Sequence, residues 1–312
     1  MKTEIKKQIA ESLEVYMSEH GISQNEAAKR SEVNASYIIQ IRKGDYMIVS
    51  NGKTVEIADK YFEKIAEMVG FQIRKNYWEL RHTEQFIEII SELTDAKQNG
   101  YTRTIIGDTG CGKSYVIEQF RQKNPNDTFV VTVSQLDNIG DLLDKIIDLL
   151  KITPAKTKSK KLRDIVVKLR DLKQDGAQPM LIFDECEYMK QPALCAMKEL
   201  YDNLNKYCAI ALVGHGQLLT NIERLRKRSK DGIPQFYRRI KFGIRRLPPI
   251  DRRYSLFLDG LDRKLVKFLQ TECENYGELH DVLVPALREA DRTGEPISED
   301  FVRKLLNMPA RN

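Results

Sequence analysis

The sequence predicts an α/β fold with a central parallel sheet, an N-terminal helical module and a small C-terminal helical lid. Three observations carry that expectation. Apolar strand-like runs alternate with helical runs through residues 100–249. One run, Thr104-Ile105-Ile106, feeds into Gly107-Asp108-Thr109-Gly110-Cys111-Gly112-Lys113-Ser114, a glycine-rich loop that opens a helix. A second, Met180-Leu181-Ile182-Phe183, ends in Asp184-Glu185, with Asp184 standing 71 positions after Lys113.

Residues 1–70 read as all-helical. Ile9, Leu13, Tyr16 and Met17 recur at helical spacing, and His20-Gly21 closes that helix. Ser23 caps the next, with Glu26 at the capping-box position. A short turn at Ser31-Glu32-Val33-Asn34 leads into a third helix, Ala35 to Lys43, ended by Gly44, and Ile57 to Val69 forms a further amphipathic helix. Two short helices about a tight turn resemble a helix-turn-helix of the phage-repressor type, whose second helix enters the DNA major groove. The matching positions are Asn34, Ser36, Tyr37, Gln40 and Arg42. Gln40 suits adenine, while Arg42 and Lys43 suit phosphate. Glu32 stands where the turn often has a left-handed glycine, at a cost of about 1 kcal/mol. A purely structural three-helix module explains the same periodicity.

Residues 71–99 read as a polar helical connector holding the only tryptophan, Trp78, and Gln98-Asn99-Gly100 as a break. The next domain, 100–249, has strand candidates at 102–106, 128–133, 180–183, 208–213 and 240–244. Helices are expected at 113–122, 138–151, 159–173, 191–206 and 216–226. Leu247-Pro248-Pro249 is a boundary. The lid, 250–312, reads as helices 251–274, 278–292 and 298–307, broken at Gly277 and Gly294.

The spacing Gly, four residues, Gly-Lys-Ser is that of a phosphate-binding loop. Its glycines let backbone N–H groups turn inward, and the helix N-terminus adds partial positive charge. Lys113 reaches the β- and γ-phosphates of a nucleotide, and Ser114 offers a hydroxyl to Mg²⁺. Asp184 holds the same ion through water, and Glu185 polarises an attacking water. Tyr115 follows the loop directly. ATP and Mg²⁺ are therefore the expected ligands.

Bulk composition agrees with a soluble intracellular protein. Charged residues make up 31% and hydrophobic ones 41% of 312 residues, with no apolar run of membrane-spanning length. The N-terminus lacks an apolar signal core, and the five cysteines form no close metal-type pair. The net charge of +6 is unevenly placed. Residues 156–173 hold eight Lys/Arg against Asp164 and Asp171, and residues 226–253 hold eleven against Asp231 and Asp251. Two basic zones on an otherwise acidic chain point to a polyanion such as nucleic acid. Lys156, Lys158, Lys160, Lys161 and Arg163 lead the first zone; Arg226, Lys227, Arg228 and Lys230 lead the second. Lysines without neighbouring aromatics suit backbone phosphates of duplex DNA.

From Tyr101 to about Asn307 the sequence resembles the AAA+ ATPases, and the whole chain more narrowly resembles the phage Mu B family of transposition proteins. The narrower likeness rests on the repressor-like module, the loop 107–114 paired with Leu181-Ile182-Phe183-Asp184-Glu185, and the ending Gly277-Glu278-Leu279-His280, Leu287-Arg288-Glu289-Ala290 and Ile297-Ser298-Glu299-Asp300. The resemblance implies an AAA+ P-loop NTPase fold with the phosphate-loop strand central. It implies ATP-dependent filaments on double-stranded DNA that recruit and stimulate a transposase, in the cytoplasm of a bacterial host, encoded by a phage or mobile element. It implies a nucleotide between protomers, with an arginine finger arriving in trans; Arg239 matches best, beside Arg238. His215 falls where a polar γ-phosphate sensor stands, and His280 where a second sensor is commonly arginine, which implies slow hydrolysis. A helicase loader and a nucleotide-sensing transcriptional regulator remain the alternatives.

Overall fold

The structure, a computed structural model, describes residues 1, 3–50, 53–71 and 77–309. It divides into two compact units, Met1–Asn76 and Tyr77–Asn312.

The first unit packs α1 (Thr3–His20), α2 (Gln24–Ser31), α3 (Ala35–Arg42) and α4 (Asp59–Met68) around buried Ile9, Leu13, Ile38, Ile41, Phe62 and Ile65. An antiparallel pair, β1 (Met47–Ser50) and β2 (Lys53–Glu56), lies between α3 and α4 in sequence. The all-helical expectation for this unit therefore does not hold. Ser23 caps α2 by accepting from the Glu26 N–H at 3.3 Å, but the Glu26 carboxylate turns to Arg30 at 3.0 Å, so only half of the expected capping box is seen. Glu32 takes the left-handed conformation, φ 53°, and its carboxylate meets Lys64 at 2.9 Å. Asn34 caps α3 by accepting from the N–H and hydroxyl of Ser36 at 2.9 and 2.8 Å.

The second unit begins with α5 (Glu84–Asn99), capped by Thr83 and closed by Gly100 in the left-handed region. It continues with β3 (Thr102–Ile106), α6 (Lys113–Lys123), β4 (Thr128–Thr132), α7 (Ile139–Leu150), α8 (Lys158–Gln174), β5 (Met180–Asp184), α9 (Gln191–Leu204), β6 (Ala209–Gly214), α10 (Gln217–Lys227), α11 (Ile233–Ile240) and β7 (Ile244–Arg246). The five strands form one parallel sheet in the order β4-β5-β6-β3-β7. Both faces are covered, as a parallel sheet requires. On β5, Leu181 and Phe183 join the core against α7–α11, while Met180 and Ile182 join the core against α5 and α6. The phosphate-loop strand β3 is interior, but β6 rather than β3 takes the middle position.

Two further expectations need correction. The run 240–244 is not a strand. Pro234 sits in the first turn of α11, which buries Ile233, Phe236 and Ile240 on one face, and the chain turns through Lys241–Gly243 before β7 begins at Ile244. Gly243 is needed there, since a Cβ would lie 2.5 Å from the Thr102 carbonyl oxygen. Nor is 251–274 one helix. Turns occupy the stretch up to Asp262, which caps α12 (Arg263–Glu272). After it α13 (Tyr276–Thr293) contains Gly277 in its first turn rather than breaking there, and α14 (Glu299–Leu305) comes next. Tyr254, Leu265, Leu269, Leu279, Leu283 and Val302 form the core of this C-terminal helical region.

Candidate functional site

The carboxyl ends of β3, β5 and β6 open on one edge of the sheet, and the register places them side by side: Ile106 pairs with Gly214, and Phe183 with Leu212. The loop 107–114 leaves β3 here. Gly110 and Gly112 take φ values of +71° and +93°, which only glycine adopts without strain. The Lys113 ammonium folds onto its own loop, donating to the carbonyls of Gly107 at 2.9 Å and Asp108 at 2.8 Å. Those carbonyls hold the cation where an incoming phosphate would compete for it. Cys111 is buried, and burial pushes its thiol above the ordinary range, so it packs rather than reacts.

At the end of β5, Asp184 is buried and accepts from the Ser114 hydroxyl at 2.5 Å and from the Glu185 N–H at 2.9 Å. Two hard oxygen donors, one at the end of the loop and one at the end of β5, fit Mg²⁺, which keeps waters and borrows its remaining ligands from phosphates. No cluster of three or more His, Cys, Asp or Glu suited to a metal occurs among the described residues. Glu185 lies outside the sheet at φ 58°, a left-handed conformation that strains a glutamate. Desolvation, then the charges of Asp184 and Glu187, raise its carboxyl above the ordinary range against the pull of Lys113. A proton acceptor poised upward in this way suits general-base work on water.

His215, at the end of β6, donates its backbone N–H to Glu187 at 3.1 Å, and Asn221 donates its side-chain N–H to the Glu187 carbonyl at 3.2 Å. Glu187, not foreseen from sequence, ties the Asp184-Glu185 turn to the His215 strand end. Gly214 makes room for it, since a Cβ there would lie 2.4 Å from its carboxylate.

The lid also reaches the loop, through Gly277 of the Gly277-Glu278-Leu279-His280 run and through Asn275, which carried no motif signal. The Gly277 N–H donates to the Gly110 carbonyl at 3.2 Å, and Asn275 packs on the Gly110 Cα. Next to that contact, Tyr276 lines a cleft of about 250 Å³ with His82, Thr83, Pro249 and Phe257. Gln85 braces it, donating to the Pro248 and Pro249 carbonyls at 3.1 and 2.7 Å.

Other expected site residues lie apart from this edge. His280, one turn beyond Gly277, has its ring edge-on to Trp78 at 5.2 Å and its Nδ1 2.9 Å from Asp281. Arg239 pairs with Asp202 through both carboxylate oxygens and donates to the Gln235 carbonyl at 2.8 Å, whereas Arg238 is exposed with no ion pair among the described residues. Lys156, Lys158, Lys160 and Arg163 are exposed at the start of α8; Lys161 is held by Asp144 at 2.7 Å. Lys227 and Arg228 are exposed, while Arg226 pairs with Glu223 at 2.9 Å. In the first unit, Ser36, Tyr37 and Gln40 are on α3, and Arg42 makes a two-point ion pair with Glu14. That pair ties α3 to α1 and engages the guanidinium expected to hold phosphate.

Residues 97–222 match the AAA domain family. The second unit has the AAA+ P-loop NTPase fold. Solved structures agree. Cdc6p from Pyrobaculum aerophilum is 16% identical with a TM-score of 0.53, over 72% of this chain and 66% of that one, so the chain spans about two thirds of its length. The Aeropyrum pernix Orc1 protein, solved in complex with DNA, is 12% identical with a TM-score of 0.54, covering 73% and 65%. The Aeropyrum pernix Orc2 protein, solved in ADPNP-ADP complexes, is 17% identical with a TM-score of 0.51, covering 78% and 72%. At these identities the likeness is one of fold. No curated protein matches the chain. Among the described residues no helix is long and apolar enough to cross a membrane.

Proposed function

We propose that the chain is an ATP-dependent regulator of transposition that coats double-stranded DNA and activates a transposase, with slow ATP hydrolysis as the switch. The observation that carries its nucleotide half is the convergence of Lys113, Ser114, Asp184, Glu185 and His215 on one sheet edge. On ATP binding, Lys113 exchanges two loop carbonyls for phosphate oxygens. Ser114 and Asp184 hold Mg²⁺, which when bound neutralises charge on the phosphates. Glu185 accepts the proton of the attacking water, and His215 senses the γ-phosphate. Tyr276 and the cleft beside it take the adenine ring, while His280 would have to leave Trp78 and Asp281 to act as the second sensor. Of the two finger candidates, Arg238 is free to reach a neighbouring protomer, and Arg239 must first release Asp202.

The DNA half is supported by the exposed basic starts and ends of α8 and α10 and by the helical first unit; the transposase and filament rest on the family resemblance. Electron microscopy of the protein on random-sequence duplex tests the reading. Helical coats with ATP, absent without nucleotide and absent for Lys113→Ala, are expected. Isolated particles at single sites favour a transcriptional regulator, and a preference for single strands favours a helicase loader.

A further inference from the structure

A groove of about 690 Å³ runs between α10, α11 and the edge strand β7. Arg224 and Lys227 of α10 and Arg228, which caps its C-terminus, form one wall, and Arg246 of β7 stands in the other. All four are exposed and none makes an ion pair among the described residues; Arg224 donates to the Asn221 side-chain carbonyl at 3.2 Å. The single carboxylate in the lining, Glu223, is already taken by Arg226 at 2.9 Å. Four cations from two elements, 22 positions apart in the chain at their extremes, are thus gathered without counter-ions. Such a cluster is stabilised when an anion enters.

We propose that this groove holds the phosphate backbone of duplex DNA, with Arg224 and Arg246 as contacts beside Lys227 and Arg228. The proposal rests on the DNA-binding reading above and deepens it. Arg224 and Arg228 are separated by about 6 Å of helix rise, a length over which one strand of a duplex presents about two phosphate charges. The cations are therefore spread to match a backbone rather than focused on one small anion. The floor explains why a duplex is favoured over unpaired bases. Tyr237 is its aromatic residue, and the Arg226 guanidinium already lies over that ring at 4.4 Å. A covered ring offers no stacking platform, which single-strand binders need. Leu219 and Ile244 complete an apolar floor suited to sugar rather than base edges.

The test uses the full chain with ATP and a random-sequence duplex, titrated over a range of salt. Arg224→Gln, Lys227→Gln, Arg228→Gln and Arg246→Gln are combined in one variant, with nucleotide binding measured alongside. The slope of log affinity against log salt is expected to fall by about three to four units. The affinity lost between about 50 and 200 mM salt then shrinks on the order of 100-fold. An unchanged slope, with the parent binding duplex and the variant binding ATP, overturns the groove while leaving the DNA-binding reading intact. A parent that binds no duplex overturns both. Amine labelling of the unaltered protein needs no variant: duplex should shield Lys227, and equal concentrations of inorganic tripolyphosphate or polyglutamate should not. Equal shielding by tripolyphosphate would reveal a small-anion site, equal shielding by polyglutamate an acidic-protein site, and either defeats the proposal.

Discussion

Replacing Gly110 with alanine should uncouple the lid from the phosphate loop, and the cost can be apportioned. Gly110 has φ +71°, and a Cβ there would lie 2.1 Å from the Asn275 Oδ1 and 2.3 Å from its Cγ. The left-handed backbone alone costs an alanine about 1–2 kcal/mol. The collision adds a second cost because Asn275 is not free to swing away. Its Oδ1 accepts from the Glu278 N–H at 2.9 Å, capping α13, and its Nδ2 donates to the Glu278 carboxylate at 2.8 Å. Moving it forfeits the cap, about 1 kcal/mol. Gly110→Ala should therefore destabilise the second unit by about 2–3 kcal/mol. Asn275→Gly removes the obstacle, and glycine at an N-cap costs only about a few tenths of a kcal/mol.

The double variant then retains the backbone cost but loses the collision, so the two changes should be non-additive by about 1 kcal/mol. Urea unfolding of the full chain, followed by fluorescence, measures the cycle. Trp78, the single tryptophan, stacks on Phe257 at 4.6 Å in the same unit and reports on it. Additivity within about 0.3–0.5 kcal/mol would refute the argument, because it would mean that Asn275 does not press on the loop.

The same site yields other expected outcomes. Lys113→Ala should abolish nucleotide binding and ATP-dependent DNA binding, whereas Glu185→Gln should bind ATP, slow turnover by about 10²–10⁴-fold and prolong the DNA-bound state. Turnover should fall as pH drops through the Glu185 carboxyl's titration, because the protonated form cannot accept a proton. That titration lies above the ordinary carboxylate range, and Glu187→Gln, which removes one of the charges raising it, should move the acid limb of the single-turnover rate to lower pH. Arg238→Ala and Glu185→Gln proteins, each inactive alone, should regain phosphate release on mixing if the finger acts in trans. Asn221→Ala should lower the ratio of DNA affinities with and without ATP, by about 0.5–2 kcal/mol of coupling, while leaving nucleotide binding unchanged.

The site is legible in sequence wherever its residues stand at the carboxyl end of a strand or in the loop that leaves it. Lys113, Ser114, Asp184 and Glu185 each come after an apolar run whose end the pattern marks, and the parallel register then brings those ends together without further information. The features that sequence does not show depend on pairings between distant elements. The Asn275–Gly110 packing joins positions far apart in the chain, and neither residue advertises the other. Arg239 and Asp202 are likewise recognisable as a pair only after α9 and α11 have packed. The 240–244 strand is displaced for a local reason: Ile240 completes the apolar face of α11, which Pro234 starts, and the chain turns at Lys241–Gly243, so the strand begins only at Ile244. In the first unit the β1–β2 pair does carry a local signal, since Asn51-Gly52 stands between the two runs and favours a two-residue hairpin turn, but the helical periodicity on either side masks it.

Asn221 joins the proposed nucleotide site to the basic groove. Its side-chain N–H donates to the Glu187 carbonyl, in the turn that carries Glu185. Its side-chain carbonyl accepts from Gln217 at 2.9 Å and from Arg224, a wall of the groove, at 3.2 Å. One amide therefore touches the turn that carries the proposed general base and a cation facing the proposed DNA. Glu187 adds the second tie, through the His215 N–H, so a change at either strand end is felt at the start of α10. A nucleotide that repositions Glu185 has to carry Glu187 with it, because only Cys186, fully buried, separates them. Moving α10 by even a fraction of its side-chain reach alters the spacing of Arg224, Lys227 and Arg228 against Arg246 on the sheet. A groove whose walls belong to different elements can thus be set or spoiled by the nucleotide, whereas four cations on one helix would bind phosphate equally well in either state.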